Sequence, residues 1–381
     1  PGALPLAGVL RQPPRKIAEA LADRAEWPAE VTRVEVAGPG FLNLWIDRHA
    51  ILGRLIRGEW SRGAPGAVKT VVEHTNINPN KAAHIGHLRN AVLGDTLVRC
   101  LRHLGHPVEI QNYVDDTGVQ VADVVVGVLY LPEAELARAL DVEPSRRDEL
   151  IECFVGRLPA NVIPVASVHD FDDLCWEIYP QVTARYQEDE TFKLHRSEVL
   201  HMVEEGHDEL NLEQALFLLR GAVIAGDSYP GRAVARLAAA VADGNLRCHL
   251  ATMARLGIAY DVLPHESDIL HLGFWDRAFQ LLQEAEAIRL DEDGKNAGCW
   301  VMSLAASDDF ADMDDPDKIL VRSNGTVTYT RKDIAYQLWK LGLLLESDGS
   351  RHDFGYQEYV SWDRPSPARA VDYDRGGNTL V

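Results

Sequence analysis

The chain has 381 residues, of which 46% are hydrophobic and 25% are charged, a composition typical of globular proteins rather than disordered ones. A single core rarely extends over such a length, so we expect two or three domains. The net charge of −20 disfavours a general nucleic-acid binder but leaves room for one basic patch. Five cysteines without a C-x-x-C pair indicate free thiols in a reduced, cytoplasmic protein.

A partial N-terminal α+β domain is predicted over residues 1–60. Its first 16 residues, PGALPLAGVLRQPPRK, lack the basic start of a signal peptide, and no run of about 18 apolar residues predicts a membrane span. The chain begins with proline, so we expect a fragment. The charged stretch before Pro28 predicts a helix, and RVEVAGPGFLNLWID at 33–47 predicts two strands joined by a Gly-Pro-Gly turn. A Gly/Pro-rich linker is predicted at 57–69.

A strand, a helix and a second strand are predicted next. KTVVEHT at 69–75 is a short β-branched run, and apolar residues then recur at helical spacing over 84–104. Gly105 ends that helix, and PVEIQNYV at 107–114 predicts the second strand. This alternation predicts an α/β fold with a parallel, Rossmann-like sheet.

The catalytic part of the chain is predicted over 66–345, with a helical insertion at about 132–243 and an irregular tail at 346–381. Within it, the segment at 245–263 predicts a helix followed by a strand. KILVRSNGTVTYT at 318–330 predicts a hairpin closed by Asn-Gly, and RKDIAYQLWKLGLLL at 331–345 predicts a helix.

The stretch NPNKAAHIGHLRN at 78–90 combines the features of a phosphate site. The loop after a first parallel strand lies at the edge of the sheet where ligands bind, and the following helix N-terminus attracts anions. His84 and His87 can donate from the first helical turn, while Lys81 adds a mobile positive charge. Gly86 lets a base or ribose approach the backbone.

Two other interpretations of this motif are possible. A zinc site needs three or four ligands, and two histidines three residues apart supply only two. Two surface histidines without a function are the other possibility, which the Asn/Pro turn, the preceding strand and the lysine disfavour. A similar stretch, HLGH at 103–106, falls at the opposite end of the helix, where we expect histidines to complement the last carbonyls.

Four segments together resemble arginyl-tRNA synthetases, which belong to class I: EHTNINPNKAAHIGHLRNAVLGD, NYVDDTGVQVAD, LGIAYDVLPHESDIL and SNGTVTYTRKDIAYQLWK. GPGFLNLWID is similar to the end of that family's N-terminal tRNA-binding domain. The resemblance implies a class I Rossmann-like fold that activates L-arginine with ATP and Mg²⁺ to arginyl-adenylate and transfers it to tRNA(Arg). A cytoplasmic monomer without membrane contact is expected.

The resemblance also implies roles for individual residues. It implies that His84, His87 and Lys81 are catalytic and that they bind ATP together with Ile85 and Gly86. In some members the lysine at this place replaces a lysine missing from the later KMSKS loop. The arginine-binding residues it implies are Glu73, Asn78, His84, Tyr329 and Asp333. Weaker candidates for the α-ammonium or Mg²⁺ are Asn112, Asp115 and Asp116, and no protein metal site is expected. From the residues alone, Glu73 and Asp333 also fit solvated surface acids, and DDTG fits an Asx turn.

The sequence departs from the family pattern after the middle of the chain. VMSLAASDD at 301–309 lacks the lysines of a KMSKS loop, and too few residues follow Asp333 to hold that loop and an anticodon-binding domain. Three explanations follow: a fragment, a shortened paralogue that uses another acceptor, or an inactive binding or regulatory module. The retained pocket residues argue against the last.

Overall fold

The computed structural model describes residues 3–58, 69–159, 169–206, 210–303, 317–323, 330–344 and 379–380. The chain forms two compact units, Pro1–Ala64 and Pro65–Val381, and the division between them falls in the Gly/Pro-rich stretch predicted as a linker. None of the described helices is both long enough and apolar enough to cross a membrane.

The first unit is a small α+β structure. Its elements are α1 (Ala3–Leu10), α2 (Pro14–Arg24), β1 (Val31–Ala37), β2 (Phe41–Ile46) and α3 (Arg48–Ile56). The strands pair antiparallel, which confirms the predicted helix and two strands. Gly40 is required at the turn because its φ is +139° and a Cβ there would lie 2.9 Å from the Pro14 carbonyl oxygen. The sequence pattern gave no prediction of α3, whose first amides bond the Asp47 carboxylate.

A parallel sheet forms the centre of the second unit. β3 (Thr70–Glu73) pairs in parallel with β4 (Val108–Gln111) and with β8 (Thr379–Leu380), and α4 (Ile85–His103) connects β3 to β4. The predicted α/β class is therefore confirmed. The strand predicted near 258–263 is reduced to two isolated parallel bridges beside β4, Gln111–Val262 and Val114–His265. Its ladder is interrupted because the Asp261 carboxylate takes the Ile110 amide at 2.8 Å and Pro264 has no N–H.

A helical layer follows the sheet strands. Its helices are α5 (Val119–Tyr130), α6 (Glu133–Leu140), α7 (Arg147–Gly156), α8 (His169–Glu188), α9 (Glu190–Glu205), α10 (Leu212–Ala225) and α11 (Gly231–Arg255). α5 is buried on all sides from Val121 to Leu129, so it is the central helix of this layer. Its one charged buried residue, Asp123, accepts bonds from Tyr186 and Arg196.

α11 belongs to two cores. Its N-terminal half, and Cys248 and Ala251 of its C-terminal half, pack into the helical layer. Leu246, Leu250 and Met253 instead pack with Val72 and Ile110 of the sheet. The helix runs unbroken through position 243, where the sequence predicted the end of an insertion. The sequence periodicity has no break there, since apolar residues continue at helical spacing on both sides of position 243.

The remaining described elements form a third core. They are α12 (Glu266–His271), α13 (Phe274–Glu284), β5 (Arg289–Asp291), β6 (Cys299–Ser303), β7 (Asp317–Val321) and α14 (Thr330–Lys340). The strands are antiparallel in the order β5-β6-β7, and Phe274 and Trp339 are buried between the helices. The helix predicted over 331–345 is confirmed. The second strand of the predicted hairpin lies outside the described residues.

Candidate active site

The loop between β3 and α4 is tied to the end of β4 by Asn76. The Asn76 amide donates to Asn112 Oδ1 at 2.8 Å, and the Asn76 side-chain oxygen accepts from the Tyr113 amide at 2.8 Å. Thr75 and Asn76 have φ values of +77° and +44°, a left-handed pair that non-glycine residues rarely form. This turn brings the carboxyl ends of β3 and β4 together, as predicted for a ligand-binding edge.

The two histidines of the predicted phosphate site cap the start of α4. His84 Nδ1 accepts the Gly86 amide at 3.1 Å, and His87 Nδ1 accepts the His84 amide at 3.2 Å. The rings stack with their centres 3.8 Å apart. Since both Nδ1 atoms accept, the ring proton available for donation in each neutral imidazole is on Nε2. Burial, followed by the charges of His84 and Lys81, lowers the pKa of His87 to about 4.

The structure gives a second reason for glycine at position 86. A Cβ at this position would lie 2.9 Å from Cε1 of the His84 ring, so any side chain would push that ring out of its cap. Ile85 is 79% exposed and leaves the first turn of the helix open to solvent. The exposed turn therefore offers imidazole donors at the positive end of a helix.

Lys81 lies beside these histidines with its amine against aromatic rings of α8. Its Nζ is 4.6 Å from the centre of the Tyr179 ring and 5.8 Å from that of Trp176. The edge of Trp176 faces His84 at 6.3 Å between ring centres. Burial lowers the pKa of Lys81. The structure thus brings together Lys81, His84 and His87, and adds two aromatic residues that the sequence pattern did not single out.

Glu73, predicted to contact arginine, forms an ion pair with Lys340 of α14. Its other carboxylate oxygen accepts from Asn76 Nδ2 at 2.5 Å. Lys340 is only 2% exposed, and its Nζ lies 3.9 Å from the centre of the Tyr336 ring. Burial lowers the pKa of Lys340 and the charge of Glu73 raises it, and because burial has the larger effect the pKa is lowered.

Asp333 is exposed at the start of α14. Partial burial of its carboxyl and then the charges of Glu266 and Glu73 raise the pKa of Asp333. Asn78 is half-buried in the β3–α4 loop, and its carbonyl accepts the Asn80 amide at 2.8 Å. Tyr329 lies outside the described residues.

A second acidic group lies at the end of β4. Burial and then the charge of Glu266 raise the pKa of Asp115 to about 8. Glu266 is itself buried, where it accepts a hydrogen bond from Thr117 and pairs with Lys332 Nζ at 3.0 Å. The sequence reasoning missed Glu266, although the segment that contains it was among those that carried the family resemblance.

Asp116 and Asn112 have their oxygens occupied by protein groups. Asp116 accepts from Ser267 Oγ at 2.6 Å, the Ser267 amide at 2.9 Å and His265 Nδ1 at 3.1 Å. Burial would raise the pKa of Asp116, but the bonds from His265 and Ser267 outweigh it and lower the pKa. Asp116 thereby fastens the start of α12 to the end of β4. Among the described residues there is no group of three or more His, Cys, Asp or Glu side chains able to hold a metal ion.

Comparisons with known proteins assign this edge of the sheet to one family. The profile described as the arginyl tRNA synthetase N terminal domain matches residues 1–46, and that described as tRNA synthetases class I (R), catalytic domain, matches residues 55–140. Arginine--tRNA ligases from Thermococcus sibiricus and Deinococcus radiodurans are 34% and 32% identical over 88% and 90% of this chain. These matches cover 47% and 46% of the two relatives.

The solved structure of Thermus thermophilus arginyl-tRNA synthetase superimposes with a TM-score of 0.54 at 29% identity. The match covers 94% of this chain and 49% of the Thermus chain. The chain therefore spans about half the length of the relatives it matches, and the similarity extends over both of its compact units.

Proposed function

Since the chain belongs to the arginyl-tRNA synthetase family, we propose that its β3–β4 edge binds L-arginine and ATP, joins them as arginyl-adenylate and passes the arginyl group to tRNA(Arg). The observation that carries the proposal is the meeting of two kinds of group at one sheet edge. Hydrogen-bond donors for phosphate lie at the start of α4, and carboxylates lie at the ends of β3 and β4.

Arginine is assigned to the acidic side of the edge. A guanidinium is planar and permanently charged, so it is recognised by carboxylates that accept its N–H groups in pairs. Glu73 and Asp333 supply such carboxylates, and we assign the side chains of Asn78 and Tyr329 to the same pocket. Asp115 is assigned to the α-ammonium group, because binding a cation favours its charged form over the protonated form that burial favours.

ATP is assigned to the start of α4. The Nε2–H groups of His84 and His87 and the Lys81 amine donate to phosphate oxygens, while Gly86 and Ile85 lie against the nucleoside. An oxygen of the arginine carboxylate attacks the α-phosphorus, and the bond to the bridging oxygen of the β-phosphate breaks as pyrophosphate leaves with the electron pair. Such a step depends on positioning and on stabilisation of phosphate charge, and it needs no general base.

Mg²⁺ is assigned to ATP rather than to the protein. The part of the chain that the structure describes has no cluster of three or more potential ligands, and Mg²⁺ commonly keeps several waters and binds through substrate phosphates. The second half-reaction is attack by a ribose hydroxyl of the terminal tRNA adenosine on the arginyl carbonyl, with AMP as the leaving group.

The test is calorimetric binding combined with arginine-dependent ATP–pyrophosphate exchange. Arginine should bind, citrulline should not, because it has a similar shape without the charge, and Asp333→Asn should abolish the difference between them. Exchange measured with and without tRNA(Arg) then reports adenylate formation. Equal binding of arginine and citrulline, or unchanged binding in Asp333→Asn, would contradict the assigned pocket. Robust AMP formation without tRNA would favour another acceptor.

A further inference from the structure

The backbone that carries Lys81 is held by helices rather than by the sheet. The Ala82 amide donates to the Asp172 carbonyl of α8 at 3.0 Å. The Lys81 carbonyl lies 2.8 Å from Nε2 of His249 in α11. These two bonds fix consecutive residues of the loop, just before the histidines that cap α4.

His249 is an unusual residue for its surroundings. It is 3% exposed, and its Nδ1 has no hydrogen-bond partner in the part of the chain that the structure describes. A carbonyl oxygen only accepts, so the proton of the neutral ring is on Nε2. A buried ring nitrogen without a partner carries a free-energy cost that an apolar side chain would not incur. What the imidazole gains in exchange is the bond to Lys81.

The Lys81 amine lies against the first of these helices, α8. It lies over Tyr179 of α8, one helical turn after Leu174 and Cys175, which are buried in the helical core. A shift of the Lys81 carbonyl would therefore move the amine off the ring and away from the stacked pair of His84 and His87. The geometry connects a buried imidazole on one helix with a charged amine on the open side of the loop.

We propose that His249 is a positioning residue for Lys81: its Nε2–H holds the Lys81 carbonyl and thereby sets where the Lys81 amine stands beside the start of α4. The catalytic consequence of this placement rests on the proposed function, in which Lys81 contacts ATP phosphates. The placement itself does not depend on that function.

Two substitutions separate the hydrogen bond from the volume of the ring. The amide nitrogen of glutamine in His249→Gln extends to about the position of Nε2, whereas that of asparagine in His249→Asn stops near Nδ1. We expect His249→Asn to lower kcat of ATP–pyrophosphate exchange about 10- to 100-fold, since small misplacements of a positioned group cost that much. The KM for arginine should stay unchanged, and His249→Gln should retain most of the activity.

A coupling test excludes a merely structural effect. In a Lys81→Met background, His249→Asn should cause no further loss of kcat, because the group that it positions is already absent. Independent losses that multiply in the double variant would overturn the proposal. If His249→Asn does not fold by circular dichroism, His249→Met, which fills the space without a donor, takes its place in both comparisons.

A second readout needs no activity. Lysines carrying ¹³C-methyl groups give one NMR signal each, and the Lys81 signal, assigned by its loss in Lys81→Arg, should be displaced by the ring current of Tyr179. The displacement should persist in His249→Gln and disappear in His249→Asn. A Lys81 signal that stays displaced in His249→Asn overturns the proposal. If the wild type shows no exchange activity but His249→Asn still loses the displacement, the proposed function is refuted. The proposal that His249 positions Lys81 then stands.

Discussion

Replacement of Glu73 by glutamine should reveal how much of the arginine pocket is also part of the fold. Glu73→Gln removes the carboxylate that pairs with the ammonium group of Lys340, whose side chain is 2% exposed, while the side chain of Glu73 is 22% exposed. Removing one partner of a buried ion pair costs about 3–5 kcal/mol. Because glutamine still offers an oxygen and Glu73 is partly in water, we expect about 2–3 kcal/mol.

The assay is urea unfolding of the second compact unit. The urea concentration at the midpoint is compared between variants whose unfolding slope is unchanged. The double variant Glu73→Gln/Lys340→Met should recover most of the lost stability, because no buried charge is left unpaired. Arginine affinity should nevertheless fall about 10- to 150-fold in both variants, since each loses a charged hydrogen bond of about 1.5–3 kcal/mol. Glu190→Gln, which removes an exposed pair with Lys193, is the control and should unfold like the wild type.

The pH dependence supplies a sharper criterion. Burial lowers the pKa of Lys340 even with Glu73 present, and in Glu73→Gln the largest opposing charge is gone. The unfolded state then binds more protons than the folded state, so the stability of Glu73→Gln should rise as pH increases toward the ordinary lysine pKa. The double variant should lack this rise. A single variant that unfolds at the wild-type urea concentration, or a double variant no more stable than the single, would refute the reasoning.

Two further predictions concern the bound substrates. His87→Ala should lower kcat of adenylate formation about 10²- to 10³-fold, or about 2.7–4 kcal/mol, by analogy with the loss of one oxyanion donor; arginine binding by calorimetry should not change, and a matching loss of arginine affinity would contradict the assignment of His87 to ATP. Arginine binding near pH 7 should release protons, because burial and Glu266 hold the pKa of Asp115 at about 8 and a bound ammonium lowers it; affinity should therefore rise with pH up to that value. Titrations in buffers of different ionisation enthalpy measure the release, which Asp115→Asn should abolish, and an unchanged release in that variant would refute the role of Asp115.

The parts of this site that depend on local pattern were predictable from sequence. The helical spacing after a strand and an Asn/Pro turn places His84 and His87 at a helix start, and α4 begins at Ile85. The same spacing places HLGH at the other end, where α4 ends at His103 and Gly105 takes a φ of +91°. Both follow from the period of 3.6 residues and from glycine's freedom at a helix end.

The parts that depend on distant residues were not predictable in the same way. Lys340 reaches Glu73 across 267 positions, and Glu266 approaches the end of β4 across 149, separations over which no periodicity carries information. The left-handed pair at Thr75 and Asn76 is also invisible, because threonine in particular has no preference for that conformation. The two long-range contacts depend on where α12 and α14 lie, and the turn at Asn76 depends on its bonds to Asn112 and Tyr113.

The double membership of α11 has a consequence for how the second unit opens. The helix has 25 residues, about 38 Å at 1.5 Å per residue, and it supplies side chains to the helical core and to the core beneath β3 and β4. Unravelling of the helical layer would therefore withdraw support from the sheet, so we expect the two cores to exchange their amide hydrogens as one cooperative foldon. Such cooperative opening would give evenly slow amide hydrogen exchange along α11, without a change in rate at position 243.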